Sequence, residues 1–128
     1  MLRRTLPFLV VAGLAALLFA TAASSKTQSV PVLTGVTGPG FTITLKKANG
    51  TLVHSLHAGT YKIVVHDKAA IHNFVVEKEK GSNKIEKDVT SVQFVGTKTV
   101  FIKLTPGTWK YYCKPHESLG MGHLFTVM

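Results

Sequence analysis

Three residues of types that bind soft metal ions stand close together in the stretch "YYCKPHESLGMG", residues 111–122. They are Cys113, His116 and Met121. A second histidine, His72, lies earlier in the chain within "IHNFVV". A thiolate, two imidazoles and a thioether form the donor set that suits copper in an electron-transfer site, with the methionine as a weak axial ligand. The sequence therefore predicts one copper ion bound by these four residues.

Each of these residues also has a simpler explanation when it is taken alone. A lone cysteine or methionine is often a buried apolar side chain, and a single histidine needs no metal. Cys113 is the only cysteine of the chain, so it has no internal disulfide partner. The combination of residue types at this spacing favours metal ligation over the simpler explanations. The remaining histidines are interpreted as ordinary strand or surface residues: His54, His57, His66 and His123.

The spacing of the C-terminal candidates predicts how the chain brings them to one point. Cys113 ends a predicted strand, "TWKYYC", so the sheet holds its sulfur. The Lys-Pro pair that follows turns the chain toward His116. A flexible glycine then lets Met121 approach from the side, at the start of a return strand, "GHLFTV". His72 is predicted to come from inside a different strand, "IHNFVVE".

The chain after residue 37 has the pattern of short β-strands separated by turns. Segments such as "FTITLK" and "TYKIVVH" alternate apolar and polar residues, and "ANG" and "PG" are turn signals. The polar run "KEKGSNKIEKD", residues 78–88, is predicted to be a loop. No segment after the N-terminal apolar run shows a sustained helical pattern. Seven or eight short strands predict an all-β fold, an antiparallel β-sandwich or barrel.

The first 22 residues have the layout of a secretory signal peptide. A basic opening with two arginines precedes an apolar run, and small residues in an A-x-A pattern predict cleavage after Ala22. The apolar run is shorter than the roughly 20 residues that a spanning helix needs. This length favours cleavage of the signal peptide, and its retention as a membrane anchor stays open as the alternative. We therefore expect an exported protein, periplasmic or extracellular or at the cell surface. No stable membrane insertion is expected after cleavage.

The part of the chain that follows the signal peptide has the length of one compact domain. Residues 23–37 are predicted to be a Ser/Thr-rich spacer that contains a possible first strand, and residues 38–128 to be the domain itself. A monomer is expected.

The chain is strongly basic, with fifteen lysines and arginines against six acidic residues and a formal net charge of +9. The lysines are spread along the sequence rather than clustered in one dense run. This pattern is typical of a solvated surface. The functional alternative is steering toward an acidic protein partner or an anionic cell surface. No nucleic-acid partner is expected, because the chain has no recognisable binding motif.

The stretch "YYCKPHESLGM" with the upstream "HNF" resembles the copper-binding signature of the cupredoxins, and its C-x2-H-x4-M spacing is that of plastocyanin. The resemblance covers about residues 41–127 and implies a Greek-key β-sandwich with type 1 copper. It implies that His72, Cys113 and His116 are equatorial ligands and Met121 the axial one. Asn73 would tie the two ligand-bearing segments together. Pro115 also matches the signature and would stiffen the ligand loop.

The resemblance implies one-electron transfer between redox partner proteins and no enzyme activity. A copper carrier or resistance protein, which would use the same ligands without a shuttle role, stays open as the alternative. The chain departs from plant plastocyanins, which carry acidic patches, because it is rich in lysine. Tyr112 matches a plastocyanin tyrosine at a second electron-exit surface, and an ordinary strand tyrosine is the other interpretation. The redox donor and acceptor are not indicated by the sequence.

Overall fold

The computed structural model of the protein describes residues 19–128. The predicted signal peptide, residues 1–22, therefore lies outside the described part except for its last four residues. Residues 19–31 are exposed and belong to no strand or helix. Within the described part, no helix is long and apolar enough to cross a membrane.

Nine strands and one short 3-10 helix make up the regular structure of residues 19–128. In chain order they are β1 Val32–Thr37, β2 Ile43–Lys47, β3 Ser55–Leu56, β4 Gly59–Asp67, β5 Phe74–Lys80, β6 Glu86–Thr90, β7 Gly96–Leu104, β8 Gly107–Tyr112, the 3-10 helix Lys114–Leu119 and β9 Gly122–Val127. Strand β1 falls within the predicted spacer. It pairs with both β2 and β4, so it is part of the folded sheet.

The strands form two sheets, in the orders β2-β1-β4-β7 and β3-β9-β8-β5-β6, whose inner side chains share one apolar core. The predicted all-β sandwich is confirmed. Two pairings, β1 with β4 and β3 with β9, are parallel, so the sheets are mixed rather than purely antiparallel. Apolar alternation indicates which side chains face the core but carries no information on strand direction. The sequence therefore could not show these two pairings.

The polar run at residues 78–88 is mostly a hairpin rather than the predicted loop. Strand β5 continues to Lys80 and β6 begins at Glu86, which leaves a short turn between them. The run is polar because β6 lies at the edge of its sheet and most of its side chains are exposed. This hairpin and the two-residue β3 bring the number of strands to nine, above the predicted seven or eight.

A buried lysine fastens the turn of this hairpin. Lys78 is only 2% exposed. Its ammonium group donates hydrogen bonds to the backbone oxygen of Ser82 at 2.5 Å and to Thr105 Oγ1 at 2.7 Å. The same nitrogen lies 5.9 Å from the ring centroid of Trp109. A lysine is tolerated inside the fold here because its charge meets oxygen acceptors and an aromatic face.

The metal-binding end of the sandwich is the end at which β1 and β8 finish and β2 and β5 begin. Its floor is the ring of Phe74 stacked on that of Tyr111, with centroids 5.9 Å apart and planes 2° apart. Gly35 permits this packing, because a Cβ there would lie 2.8 Å from the Phe74 ring. Both rings belong to the same apolar core as Cys113 and Met121.

Candidate metal centre

Three of the four predicted ligands bring donor atoms together at the metal-binding end. The Nδ1 atoms of His72 and His116 are 2.9 Å apart. Cys113 Sγ lies 3.7 Å from the first of these nitrogens and 3.6 Å from the second. The three donors therefore form a compact triangle with a sulfur at one corner, and they can hold one metal ion between them.

His72 lies in the turn that precedes β5, not inside a strand as the sequence predicts. Its backbone nitrogen donates to the backbone oxygen of Ala69 at 3.2 Å, and the strand starts two residues later at Phe74. The strand-like composition of "IHNFVVE" belongs to β5 only from Phe74 onward. A turn position lets the imidazole point along the end of the sandwich instead of across a sheet.

A buried hydrogen-bond relay fixes the start of β5 next to this turn. The backbone nitrogen of Phe74 donates to Thr90 Oγ1 at 2.9 Å. The same hydroxyl donates to Asp67 Oδ2 at 2.7 Å. Asp67 and Thr90 are both almost fully buried. Because unsatisfied buried polar groups are costly, this relay ties the ends of β4, β5 and β6 together beside His72.

Two residues of the β1–β2 connection hold the His72 ring by packing. Gly38 has a positive φ of 74°, and a Cβ there would lie 2.8 Å from His72 Cδ2. The ring of Phe41 lies edge-on to His72 at 5.6 Å and to His116 at 5.0 Å. His72 Nε2 is buried and has no hydrogen-bond partner within residues 19–128. On the Nε2 side of the ring, contact with neighbouring atoms rather than a hydrogen bond therefore orients this imidazole.

The loop that carries the other candidates is closed by its own backbone. Cys113 N donates to the oxygen of Met121 at 2.9 Å, and Met121 N donates to the oxygen of His116 at 3.3 Å. The 3-10 helix between them begins with Pro115 in its first turn. Gly120 ends it with a left-handed φ of 89°. These bonds hold the Met121 backbone beside that of Cys113.

Asn73 connects the two ligand-bearing segments. Its Oδ1 accepts a hydrogen bond from the backbone nitrogen of Lys114 at 2.8 Å. Asn73 follows His72 in the chain, and Lys114 follows Cys113. This single bond therefore joins the residue after one candidate ligand to the residue after another.

The candidate ligands differ in their access to solvent. His72, Cys113 and Met121 are each 0% exposed. His116 is partly exposed. Phe41, whose ring packs against it, and Leu119, in the same 3-10 helix, are exposed apolar side chains. A bound ion would thus be shielded on three sides and reachable through one imidazole edge.

The donor set fits copper. A thiolate and two imidazoles are soft or intermediate donors, and no carboxylate belongs to the cluster. A fully buried thioether, from Met121, lies in the same core as the thiolate. Hard oxygen-seeking ions such as Mg²⁺ or Ca²⁺ find no ligands of their kind in this cluster.

Two features at this end escape sequence analysis. Phe41 looks like the start of an ordinary strand, and only the fold places its ring against both imidazoles. The second feature is an acidic cluster formed on the outer face of the five-stranded sheet by Glu77, Glu79, Glu86 and Asp88, together with Glu117 of the 3-10 helix. Two pairs of acids, each spaced i, i+2, flank residues 81–85: Glu77 with Glu79, and Glu86 with Asp88. In a hairpin this spacing places all four on one face, whereas in a loop it has no such meaning.

Lys110 pairs with one half of the acidic cluster. Its Nζ lies 2.6 Å from Glu79 Oε1 and 2.6 Å from Glu117 Oε1. Burial acts to lower the pKa of Lys110, but hydrogen bonds to these two carboxylates outweigh it and raise the pKa above its ordinary value. The pKa of Glu79 is lowered, chiefly by the hydrogen bond from Lys110.

Lys114 pairs with the other half of the cluster and brings it next to Tyr112. Its Nζ contacts Glu86 and lies 2.8 Å from Asp88 Oδ1. The hydroxyl of Tyr112 donates to Glu86 Oε2 at 3.5 Å. Burial, followed by the charges of Glu77 and Glu86, raises the pKa of Tyr112 to about 12. The residue before Cys113 therefore does have acidic neighbours, contrary to what the lysine-rich sequence indicates.

The β-sandwich and the His-Cys-His triangle together define a small metalloprotein of the blue copper type. Residues 42–128 match the model of the copper-binding proteins of the plastocyanin/azurin family. The chain belongs to this family, and its predicted resemblance to the cupredoxins is confirmed. The prediction of copper as cofactor is also confirmed, with a His72, Cys113 and His116 cluster able to bind a single copper ion.

Solved structures are similar to this chain at the level of the fold. Reduced rusticyanin is 20% identical, with a TM-score of 0.55 over 76% of this chain and 78% of that one. Dithionite-reduced auracyanin from the photosynthetic bacterium Roseiflexus castenholzii is 16% identical, with a TM-score of 0.52 over 76% of this chain and 96% of that one. No curated protein matches.

Proposed function

We propose that this protein is an exported one-electron carrier with a single type 1 copper. The observation that carries the proposal is the burial pattern of the site: His72 and Cys113 are fully enclosed, and His116 alone among the three is partly exposed. Such a site excludes substrates from the ion but lets a partner reach one imidazole edge. Electron transfer needs only such an accessible edge, whereas ligand exchange and catalysis need other molecules to reach the ion itself.

In this proposal His72, Cys113 and His116 are the equatorial ligands and Met121 is the axial ligand. When bound, copper supplies the Cu(II)/Cu(I) couple. The loop bonds between Cys113 and Met121 and the bond from Lys114 to Asn73 keep the donors in place. Pro115 stiffens the first turn of the loop, because its φ is fixed. Donors that are held in this way move little between the two oxidation states.

His116 is the proposed port for electrons. Phe41 packs against its ring and is 55% exposed, and Leu119 in the same loop is 62% exposed. Small apolar surfaces of this kind suit brief encounters between redox proteins. The partners are proposed to be redox proteins that dock on this apolar rim, and the carrier is proposed to act as a monomer after removal of its signal peptide.

The visible spectrum tests this function on the protein recovered after export, with its N-terminus determined by mass spectrometry. Addition of Cu(II) is expected to give an intense thiolate-to-copper band that ascorbate bleaches and ferricyanide restores. Cys113→Ser should lose this band. Met121→Leu, of similar volume, should keep the band and shift the reduction potential.

The alternative of a copper carrier makes the opposite prediction. A protein that stays colourless with Cu(II) and binds only Cu(I) would support the carrier and overturn electron transfer. Retention of the blue band in Cys113→Ser would overturn the ligand assignment itself.

A further inference from the structure

The two outer faces of the sandwich carry opposite charge. Five of the six acidic residues of the sequence form the acidic cluster on the five-stranded sheet. The sixth, Asp67, is buried at the end of β4. Within residues 19–128, the outer face of the four-stranded sheet therefore carries no carboxylate.

This second face, here called the basic face, combines cations with exposed apolar side chains. Strand register and alternation place on it Val32, Lys46, Leu52, Lys62, Phe101 and Lys103. Lys62 lies between Val32 on one neighbouring strand and Phe101 on the other. Phe101 is 63% exposed, and its ring projects from the edge strand β7.

The lysines of the basic face are electrostatically free to act on a partner. Within residues 19–128, the lysines that form ion pairs are Lys110 and Lys114, both on the opposite sheet. Lys46, Lys62 and Lys103 have no acidic neighbour on their own face. None of the three forms an ion pair within residues 19–128, although Lys103 lines a groove that also contains Glu86.

We propose that the basic face binds an anionic lipid surface, with Phe101 entering the headgroup region and the three lysines contacting lipid phosphates. A flat sheet face that mixes cations with apolar groups matches a surface of negative headgroups above an apolar layer. The lysine stems can lie along the apolar side chains while the ammonium groups reach the phosphates. The occupant of this face is thus a membrane surface, contacted peripherally.

Other occupants fit the basic face less well. A second copy docked face to face would oppose lysine with lysine. A second copy docked through its acidic cluster would meet carboxylates that are already paired in part with Lys110 and Lys114.

Binding in this orientation leaves the copper end accessible. β1 runs from Val32 on the basic face to Thr37, next to Gly38, which packs on His72. Five residues of strand span about 17 Å. Lys62 and Lys103 lie at the Val32 end of the sheet. The protein would therefore be held on the membrane while His116 stays available to a redox partner.

Vesicle sedimentation at low ionic strength tests the proposal, with the exported protein and vesicles of phosphatidylglycerol and phosphatidylcholine in equal parts. Each lysine near an anionic surface strengthens adsorption by about fivefold, so the triple variant Lys46→Gln, Lys62→Gln, Lys103→Gln should bind about a hundredfold more weakly. The matched control is Lys80→Gln, Lys84→Gln, Lys87→Gln, which removes the same charge from the β5–β6 hairpin of the other sheet. It should lose only a few-fold.

A further variant and a neutral vesicle also test whether the basic face binds anionic lipid. Phe101→Thr should weaken binding to the anionic vesicles with no change in net charge, and pure phosphatidylcholine vesicles should bind none of the proteins. Equal losses in the two triple variants, or no binding of the unsubstituted protein, would overturn the proposal. The blue band is measured in the same samples and should be unchanged throughout, so a failure here is separate from a failure of copper binding.

Discussion

The two segments that supply the candidate ligands are held in different ways. The loop from Cys113 to Met121 is closed by short-range backbone bonds within itself. The His72 segment is held by groups far away in sequence: Gly38 packs against its ring, and the relay of Asp67 and Thr90 fixes the strand after it. One half of the site is therefore local and self-contained, whereas the other half depends on the completed fold.

Among the substitutions that compare the two segments, removal of the buried Thr90 hydroxyl should lower the free energy of unfolding the most. Thr90→Val leaves the nitrogen of Phe74 and Oδ2 of Asp67 without their partner, and we expect a loss of about 3 kcal/mol in the free energy of unfolding. Thr90→Ser keeps the hydroxyl and should lose about 1 kcal/mol. Denaturant unfolding of the metal-free proteins measures both. Equal losses would show that the relay does not stabilise the His72 segment.

A pair of glycine substitutions compares the two segments directly. Gly38 and Gly120 both have positive φ, which costs an alanine about 1 kcal/mol. Nothing lies within 4 Å of a Cβ at Gly120, whereas a Cβ at Gly38 would meet the His72 ring. We expect Gly120→Ala to lose about 1 kcal/mol of unfolding free energy and Gly38→Ala about 2 kcal/mol.

Copper titration extends the same comparison. Gly38→Ala should bind copper more weakly, because the added methyl group displaces His72, and Gly120→Ala should bind with nearly unchanged affinity. Gly40→Ala, where a Cβ has open space, serves as a further control. Identical behaviour of the Gly38 and Gly120 variants would contradict the view that packing orients His72.

The bond between the two segments should be separable from the bonds within the loop. Asn73→Ala removes the acceptor of the Lys114 amide and should lower the unfolding free energy by about 1 kcal/mol. Hydrogen exchange monitored by NMR should show faster exchange at Lys114. The amide of Cys113, which donates to Met121, should keep its protection. Loss of protection at both amides would mean that the loop is not self-contained.

The outer ion pairs should have the smallest effect. Glu79 has a lowered pKa in the folded state, so the stability it contributes is present above its unfolded pKa and is lost as the pH falls through the folded value. Lys110 is the main cause, and both side chains are partly exposed. Between pH 6 and pH 3 the unfolding free energy of Lys110→Gln should therefore fall less than that of the unsubstituted protein, by under about 1 kcal/mol. Acid unfolding curves of the metal-free proteins measure the difference, and parallel curves would assign the acid sensitivity to other groups.

The self-contained half of the site is also the half that sequence analysis describes well. Cys113, His116 and Met121 lie within one loop, so their spacing alone indicates that they converge. The position of His72 in a turn depends on Gly38, Asp67 and Thr90, which no local pattern connects to it. Phe41 was missed for the same reason. The positions of His72 and Phe41 depend on packing between segments that are distant in sequence, and residue periodicity gives no information on such packing.

The sandwich shows the same limit. Alternation in segments such as "TYKIVVH" predicts strands and their buried sides, which the structure shows for β4. The parallel pairing of β1 with β4 and the short β3 depend on which strands meet in three dimensions. Lys78 was assigned to a polar loop because lysine is rarely buried, and its oxygen partners at Ser82 and Thr105 became visible only in the folded chain.

The pairing of β9 with β3 has a consequence for how the thiol survives until copper arrives. Thr126 and Val127 pair with Ser55 and Leu56, so closure of this sheet joins segments that are distant along the chain. Folds dominated by such contacts form on a timescale of milliseconds to seconds. Cys113 follows β8 directly and is buried in the folded protein, in which β8 pairs with β9. The folding rate therefore sets how long this thiol is exposed to oxidants before the protein shields it.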